Sequence, residues 1–218
     1  MRLRNVKNAD EIIMNSTYIV KDPKAYKSIW QSIFNNDFPI HIEIGMGKGR
    51  FIKENAMKYP NINFIGLEKY SSVMARAIQG IGVEDQPNLK LICMDALNIT
   101  DIFDKEIDLI YLNFSDPWPK DRHARRRLPS DVFLNLYDKT FHNDSRIALK
   151  TDNYNLYLYS KEQLNNHKYD MRIVEFDINS MPEDNIMTEY EERFLGRGNI
   201  IYKIDAIKKN WTISVKGW

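Results

Sequence analysis

One glycine-rich turn in the sequence has a composition that suits a bound nucleoside ligand. Residues 41–49 read His-Ile-Glu-Ile-Gly-Met-Gly-Lys-Gly, so that Gly45, Gly47 and Gly49 alternate directly after a short apolar segment. Glycine lets the backbone turn sharply and approach a ligand where a Cβ atom would clash. The turn is not a dinucleotide fingerprint, because Arg50 stands where the third glycine belongs, and it lacks the Ser or Thr of a phosphate loop. A plain strand-to-helix turn is the alternative interpretation.

Three carboxylates follow successive segments that we expect to be strands. Glu43 lies inside the glycine motif, where its charge would repel a pyrophosphate and suit the sulfonium and amino groups of S-adenosylmethionine. Glu68 lies 23 residues after Gly45, a position from which an acid can accept both hydroxyls of a ribose. Asp95 can accept from an adenine amino group, or it can cap the helical segment that follows it. Their joint placement resembles the cofactor site of class I methyltransferases.

A second motif combines prolines, an acid and a dense run of basic residues. Residues 113–120 read Asn-Phe-Ser-Asp-Pro-Trp-Pro-Lys, and the two prolines around Trp118 predict a stiff loop that holds Asp116 at the end of a strand. Five of the eight residues from 120 to 127 are Lys or Arg, although the net charge of the chain is only +1. A local positive patch beside a cleft favours phosphate contacts with a nucleic acid. A solvated charged face is the alternative.

Two further segments allow both a functional and a structural interpretation. Asp152 follows the expected fifth strand, where it can cap the next helix or face the cleft. Thr188 and Glu191 have the spacing of a capping box at the start of the last helix. Taken alone, this spacing favours a structural role.

The elements that must position these residues alternate along the chain. From residue 40 onward, short apolar segments alternate with segments of helical periodicity. This order predicts an α/β fold with a mostly parallel sheet, helices on both faces, and ligands at the carboxyl ends of the strands. The expected strands are 40–45, 63–68, 89–93, 108–114, 146–150, 169–178 and 199–206, and the expected helices are 50–58, 71–79, 130–141, 153–165 and 188–195.

The length of 218 residues suits one domain with one sizeable core. Upstream of residue 40, Asp22-Pro23 followed by apolar residues at helical spacing predicts a helix over 22–34, and 11–20 is a further short helix. The predicted organisation is a single domain that consists of a short N-terminal helical extension over 1–39, a Rossmann-like core over 40–206 and a tail over 207–218.

Composition excludes several kinds of site. Cys93 is the single cysteine, so neither an internal disulfide nor a thiolate metal cage is expected. The four histidines lack the spacing of zinc ligands, so no metal is predicted. No segment has the apolar length of a secretory leader or a membrane span, so we expect no membrane contact and a cytoplasmic protein.

The motif over 113–127, the glycine motif and the Met-Thr-Glu-Tyr-Glu segment at 187–191 together resemble the bacterial tRNA (guanine-N7-)-methyltransferase family. The resemblance extends over residues 1 to about 205, and 113–120 is its most specific part. It implies a class I methyltransferase fold, methyl transfer from S-adenosylmethionine to N7 of guanine 46 in the variable loop of tRNA, and a monomer or homodimer. Residues 198–202 lack a proline common in the family, and the chain continues beyond Lys208.

Matched position by position, the resemblance implies a role for each motif residue. The positions that match S-adenosylmethionine-binding residues are Glu43, Gly45, Gly47, Gly49, Glu68, Asp95 and Asp116, of which Asp116 also matches the catalytic place. The positions that match substrate-binding residues are Lys120, Asp152, Thr188, Glu189, Tyr190 and Glu191. The positions that match the RNA-interacting loop are Arg122, His123, Ala124, Arg125, Arg126 and Arg127.

The implied reaction needs no general base, because guanine N7 carries a lone pair and no proton at neutral pH. Alignment and charge handling remain for the protein, and Asp116 is expected to stabilise the positive charge that reaches the guanine ring. Asp152 or Glu191 is expected to accept from the N1 hydrogen and the exocyclic amine of guanine. The alternatives are a methyltransferase of an exocyclic base amine, whose motif Asp116-Pro117-Trp118 partly matches, a nicotinamide-dependent oxidoreductase, and an RNA-binding module without activity.

Overall fold

The computed structural model describes residues 6–82 and 86–209, in which seven strands form one sheet. The strands are β1 (Ile40–Ile44), β2 (Asn63–Glu68), β3 (Leu89–Cys93), β4 (Leu109–Asn113), β5 (Ser145–Thr151), β6 (Asp170–Phe176) and β7 (Ile201–Lys208). Their order across the sheet is β3-β2-β1-β4-β5-β7-β6. Strands β1 to β6 run in one direction and β7 runs antiparallel to both of its neighbours. The mostly parallel sheet predicted from the alternation of elements is confirmed.

Helices connect the strands and cover both faces of the sheet. The α-helices are α1 (Ala9–Asn15), α2 (Gln31–Phe34), α3 (Arg50–Lys58), α4 (Ser71–Ile81), α5 (Asp131–Tyr137), α6 (Tyr154–Asn166) and α7 (Glu189–Leu195). Short 3-10 helices span Pro23–Tyr26, Ala96–Asp101 and Asp121–Arg126. Within the described ranges, none of these helices has the length and apolar composition needed to cross a membrane.

Apolar side chains of the central strands belong alternately to two cores, one on each face of the sheet. In β2, Ile65 belongs to a core that includes Trp30 and Tyr137, whereas its neighbour Phe64 belongs to a core with Met74 of α4. Successive strand residues lie on opposite faces of a sheet, so a strand that is apolar throughout can fill both cores.

The register of the parallel strands brings their carboxyl ends to one edge of the sheet. Ile44 lies beside Leu67, Glu68 lies beside Cys93, and Asn113 lies beside Lys150. The residues that directly follow these strands are therefore neighbours in space although they are far apart in sequence. The neighbouring strands β1 and β4 are where the strand order reverses, which is the usual ligand-binding place in open α/β sheets.

The predicted helix over 22–34 is wrong. A 3-10 turn at Pro23–Tyr26 and the short α2 take its place, and Ser28 between them has a left-handed φ of 67°. The backbone N–H groups of Ser28 and Trp30 both donate to the carboxylate of Glu106, each at 2.9 Å. These bonds replace those of a continuous helix and hold the indole of Trp30 in the core, where its Nε1 donates to the carbonyl oxygen of Ile102.

The other differences concern the two ends of the chain. The helix expected within 11–20 is instead α1, which ends at Asn15, and Ile19 then forms an isolated parallel bridge to Leu91 of β3. At the other end, β7 continues to Lys208, beyond the expected limit of 206. Most of the predicted tail, residues 210–218, lies outside the described residues.

The glycine turn after β1 is held against β2 by a side chain. Met46 is buried, and its thioether lies directly over Gly66. A Cβ atom added at Gly66 would clash with Met46 Sδ and lie 2.9 Å from Cδ2 of Leu91. The absence of a side chain at Gly66 is therefore what lets the turn pack down on the sheet.

We expect Gly66→Ala to destabilise the fold by about 1–3 kcal/mol, because the added methyl group overpacks the space that Met46 fills. Urea unfolding of the purified variant measures the change. Gly80→Ala is a matched control, because a Cβ atom at this position of α4 meets nothing within 4 Å. Since alanine favours the helix more than glycine does, the control is expected to be neutral or stabilising. Equal effects of the two substitutions would contradict the packing role of Gly66.

Candidate active site

The glycine turn forms the floor of the site at the carboxyl edge of the sheet. Gly45, Gly47 and Gly49 all have left-handed φ values, of 73°, 59° and 79°, which side chains rarely adopt. The backbone N–H of Gly45 donates to the carbonyl oxygen of Leu67 at 2.8 Å, which ties the turn to β2. A Cβ atom at Gly47 would meet nothing within 4 Å, so the backbone here faces open space in which a ligand can approach it closely.

Glu43 is a buried acid whose two carboxylate oxygens differ in their hydrogen bonding. Its side chain is only 2% exposed, and one oxygen accepts from Nδ2 of Asn113 at 2.9 Å. The other oxygen, Oε2, has no hydrogen-bond partner among the described residues. Burial raises the pKa of Glu43 to about 8, although the bond from Asn113 and the charge of Lys150 both act to lower it. A cationic ligand beside this oxygen would favour the ionised form, so the acid fits an ammonium or sulfonium group.

Glu68 supports the glycine turn from the end of β2. Its carboxylate accepts from the backbone N–H of Gly47 at 3.2 Å and from that of Tyr70 at 3.0 Å. Burial raises the pKa of Glu68 despite these bonds, and the negative charge of Asp116 raises it further. The electrostatic effect of Asp116 on Glu68 means that the acid predicted after β4 lies near the acid predicted after β2.

Asp95 has the capping role that its position allowed, and it also pairs with a lysine. Its side chain accepts from the backbone N–H of Leu97 at 3.0 Å, so the predicted capping of the following helix is confirmed. It also forms an ion pair with Lys69 at 2.6 Å. Burial acts to raise the pKa of Asp95, but the bonds from Leu97 and Lys69 outweigh burial and lower it. The carboxylate is therefore ionised and partly open to solvent at the end of β3.

The loop after β4 is held in shape by an arginine from the basic segment. Phe114 and Trp118 have left-handed φ values of 48° and 41°, an unusual backbone for aromatic residues. The guanidinium of Arg127 donates to the carbonyl oxygens of Pro117 and Trp118 at 3.0–3.3 Å. These bonds brace the loop that carries Asp116, whose side chain is exposed.

The basic segment divides into an internal brace and an exposed surface. It is a 3-10 helix over Asp121–Arg126 rather than the expected loop. The side chain of Arg127 is only 11% exposed and lies over the ring of Tyr159. Lys120, Arg122, Arg125 and Arg126 are exposed, His123 and Ala124 are half-buried, and the guanidinium of Arg126 lies over the indole of Trp118.

A buried ion pair connects the sheet to helix α7. Lys150, at the end of β5, contacts Glu191 at 2.6 Å, and their side chains are 6% and 0% exposed. Glu191 also accepts from the side chain of Asn185 and the backbone N–H of Thr188, so both of its oxygens are occupied. The predicted capping box between Thr188 and Glu191 is confirmed. Sequence reasoning missed Lys150, which a lysine at the end of an apolar strand should have indicated, because a buried ammonium needs an acid partner.

Asp152 and Tyr190 lie together on the open side of this ion pair. Asn153, rather than Asp152, caps α6 by accepting from the backbone N–H of Leu156. Asp152 is half-buried and accepts from Nδ2 of Asn199 at 3.0 Å. Burial and then the charge of Asp152 raise the pKa of the Tyr190 hydroxyl, which shows that the two side chains are near one another.

The site as a whole favours a positively charged ligand. The acids Glu68 and Glu189 both act to raise the pKa of Glu43, and Lys150 is the cation that acts against them. Lys150 is already paired with Glu191, so excess negative charge remains near the glycine turn. No group of three or more His, Cys, Asp or Glu residues in the described part of the chain has the arrangement of a metal site.

Comparison with known proteins gives the family. A family model described as "Putative methyltransferase" matches residues 37–204. A tRNA (guanine-N(7)-)-methyltransferase of Lachnoclostridium phytofermentans is 50% identical over 212 residues, which cover 96% of this chain and 99% of the relative. The chain belongs to the tRNA (guanine-N(7)-)-methyltransferase family. A second member, from Brevibacillus brevis, is 46% identical over 209 residues, 94% of this chain and 98% of the relative.

Solved structures give the same fold at much lower identity. An antibiotic-related methyltransferase matches this family member with a TM-score of 0.63 at 17% identity, covering 83% of this chain and 94% of the other. A 16S rRNA (adenine(1408)-N(1))-methyltransferase from Catenulisporales acidiphilia, solved with its cosubstrate SAM, also gives 0.63, at 14% identity with 90% and 95% coverage. The predicted class I methyltransferase fold is confirmed.

We expect Glu43→Gln to stabilise this methyltransferase family member at alkaline pH. The pKa of Glu43 is about 8 in the fold, above its ordinary value of 4.5. The stability of the fold therefore falls as pH rises from about 4.5 to 8, because the unfolded chain releases this proton more readily. The melting temperature should rise more at pH 8.5 than at pH 5, by about 2–4 °C per kcal/mol regained. Glu162→Gln, on the exposed face of α6, is the control, and a pH-independent gain for Glu43→Gln would contradict the assignment.

Arg127→Ala and Arg125→Ala are expected to differ although they remove the same charge. Loss of the Arg127 guanidinium frees the carbonyl oxygens of Pro117 and Trp118, so we expect a loss of about 2–3 kcal/mol in the free energy of unfolding. The side chain of Arg125 is exposed, so its loss should change stability by less than about 0.5 kcal/mol. Urea unfolding of both variants measures the difference, and equal losses would show that Arg127 does not stabilise the loop after β4.

Proposed function

We propose that this chain transfers a methyl group from S-adenosylmethionine to N7 of a guanine in tRNA, and that the guanine is position 46 of the variable loop. The observation that carries the proposal is the 50% identity to a tRNA (guanine-N(7)-)-methyltransferase over nearly the full length of both chains. We further propose that the protein acts in the cytoplasm, where tRNA is used, as a monomer or a homodimer.

Bound S-adenosylmethionine would supply an electrophilic methyl group on a sulfonium centre. The residues at the strand ends fit this ligand, because Glu43 offers an unpaired buried oxygen to a cation and Gly47 leaves room beside the backbone. We assign Glu68 to the ribose hydroxyls and Asp95 to the adenine amino group. Gly45 and Gly49 keep the turn in the left-handed conformation that this binding requires.

The residues of this chain need not move a proton in the reaction. Guanine N7 would offer its lone pair to the methyl group that the cofactor supplies, and the positive charge of the sulfonium would pass to the guanine ring. Asp116, at the end of the braced loop, is the acid we assign to stabilising that charge. Its exposure in this structure suits a residue that meets a base brought from outside.

We assign the recognition of guanine to Asp152 and a positioning role to Glu191. Both oxygens of Glu191 are occupied by Lys150, Asn185 and the backbone of Thr188, which leaves none for the donors of guanine. Asp152 is half-buried and lies beside Tyr190. A carboxylate in this position can accept from both the N1 hydrogen and the exocyclic amine, a pair that adenine lacks.

The direct test is incubation of the purified protein with an unmodified tRNA transcript and S-adenosylmethionine, followed by mass spectrometry of the nucleosides. We expect 7-methylguanosine, and digestion into fragments should map it to the variable loop. A methylated exocyclic amine would keep the cofactor assignment and overturn the substrate assignment. Binding of tRNA without any methylated product would overturn the activity itself.

Asp116→Ala is expected to lower turnover by about a hundredfold or more, because the group that stabilises the transferred charge is lost. The affinity for S-adenosylmethionine, measured by calorimetry, should change much less than turnover, since Glu43, Glu68 and the glycine turn remain. A variant with near-normal turnover would remove Asp116 from the chemistry. A variant that loses cofactor affinity and turnover in parallel would make Asp116 a cofactor-binding residue alone.

A further inference from the structure

Three aromatic rings form a ladder, of which one lies in the loop after β4 and two lie on helix α7. The ring of Tyr190 lies between those of Phe114 and Phe194, with centroid distances of 5.1 Å and 4.1 Å. The Tyr190 and Phe194 rings are stacked at an interplanar angle of 19°. Tyr190 is 44% exposed, although a large aromatic residue usually covers its face. The aromatic ladder of Phe114, Tyr190 and Phe194 is thus open to solvent in its middle.

Two arginines extend this ladder, Arg193 on α7 and Arg197 in the turn after it. The guanidinium groups of Arg193 and Arg197 lie over the ring of Phe194, at 5.8 Å and 5.2 Å from its centroid. Both arginines are exposed, and neither forms an ion pair with a carboxylate in the described part of the chain. The neighbouring Glu192 instead pairs with Arg50 at 2.5 Å. Glu191 and Glu192 are thus paired with Lys150 and Arg50, whereas the two arginines remain available.

The arginines and the ladder lie beside the acid that we assign to guanine recognition. Asp152, Arg193 and Arg197 all act electrostatically on the Tyr190 hydroxyl, so the four groups share one neighbourhood. An arginine stacked on a ring keeps its N–H donors in the plane of the guanidinium, where they can meet a phosphate in bidentate fashion.

We propose that Arg193 of helix α7 and Arg197 of the turn after it form a second RNA-binding surface, which binds phosphates next to the target nucleotide. This proposal rests on the proposed tRNA substrate and adds a surface separate from the basic segment at 120–127. The target base is then held between a charged loop after β4 and a charged helix that the Lys150–Glu191 pair ties to β5.

The test measures steady-state methylation of tRNA by Arg193→Gln/Arg197→Gln over a range of salt concentrations. We expect KM for tRNA to rise about tenfold with kcat changed less than twofold. We also expect the dependence of log KM on log salt to weaken by about 1.5, because each phosphate contact contributes roughly 0.7–0.9 to that slope. The affinity for S-adenosylmethionine and the melting temperature are measured in parallel to establish that the variant is folded.

The matched control is Arg146→Gln/Arg172→Gln, which removes the same two charges from exposed positions on β5 and β6. Equal KM values and salt slopes for the two double variants would overturn the proposal, since the effect would then follow from net charge alone. Unchanged kinetics in Arg193→Gln/Arg197→Gln would also overturn it, whereas a wild-type protein that makes no 7-methylguanosine would instead overturn the proposed function.

Discussion

Two buried charges, one at the end of a strand and one in the first turn of a helix, hold the two sides of the candidate site together. Lys150 and Glu191 meet at 2.6 Å with almost no exposure to solvent. Burial lowers the pKa of Lys150, and the charge of Glu191 opposes that shift, so each charge is tolerated because the other is present. The capping box and Asn185 then complete the bonds of Glu191. The orientation of α7, and of everything it carries, follows from this contact.

At the same edge of the sheet, the negative charges near the glycine turn are not balanced by cations of the described residues in the way that Glu191 is balanced by Lys150. Glu43 is buried with one oxygen unpaired, and neighbouring acids raise its pKa further. A fold selected only for stability would place an amide or an apolar residue there. A cationic ligand beside Glu43 would offset this cost, so the proposed cofactor accounts for an acid that the ligand-free protein would be more stable without.

The sequence was sufficient to predict the elements whose apolar pattern matches their structure. Strands β2 and β3 and helix α3 have the predicted bounds, because each strand is a short apolar run that begins at or directly after an asparagine, and α3 ends just before Tyr59-Pro60. The apolar pattern over 22–34 correctly indicated buried side chains, but it predicted the wrong backbone conformation. The carboxylate of Glu106, far along the chain, accepts from the N–H groups at the centre of this segment. Long-range bonds of this kind leave no trace in local periodicity.

The acids of the candidate site could be predicted from the sequence, but the residues that hold the surrounding loops in place could not. Strand ends can be located from sequence, and Glu43, Glu68 and Asp95 follow directly from them. By contrast, Met46 and Gly66 matter through a contact between two elements, which spacing alone does not reveal. Residue type alone predicts a uniform basic segment, yet Arg127 faces inward to the loop carbonyls while Arg125 faces solvent. Residue type gave their charge, and only the packing divided their roles.

The position of strand β7 determines when the sheet can be completed during synthesis. It follows β6 in the chain but lies between β5 and β6, with Ser145 paired to Lys208. During synthesis on the ribosome, β5 and β6 therefore emerge without the strand that joins them, and both leave backbone edges unpaired until β7 arrives. The helix that carries the aromatic ladder directly precedes β7. A nascent chain thus has its glycine turn long before the sheet beside α7 is complete.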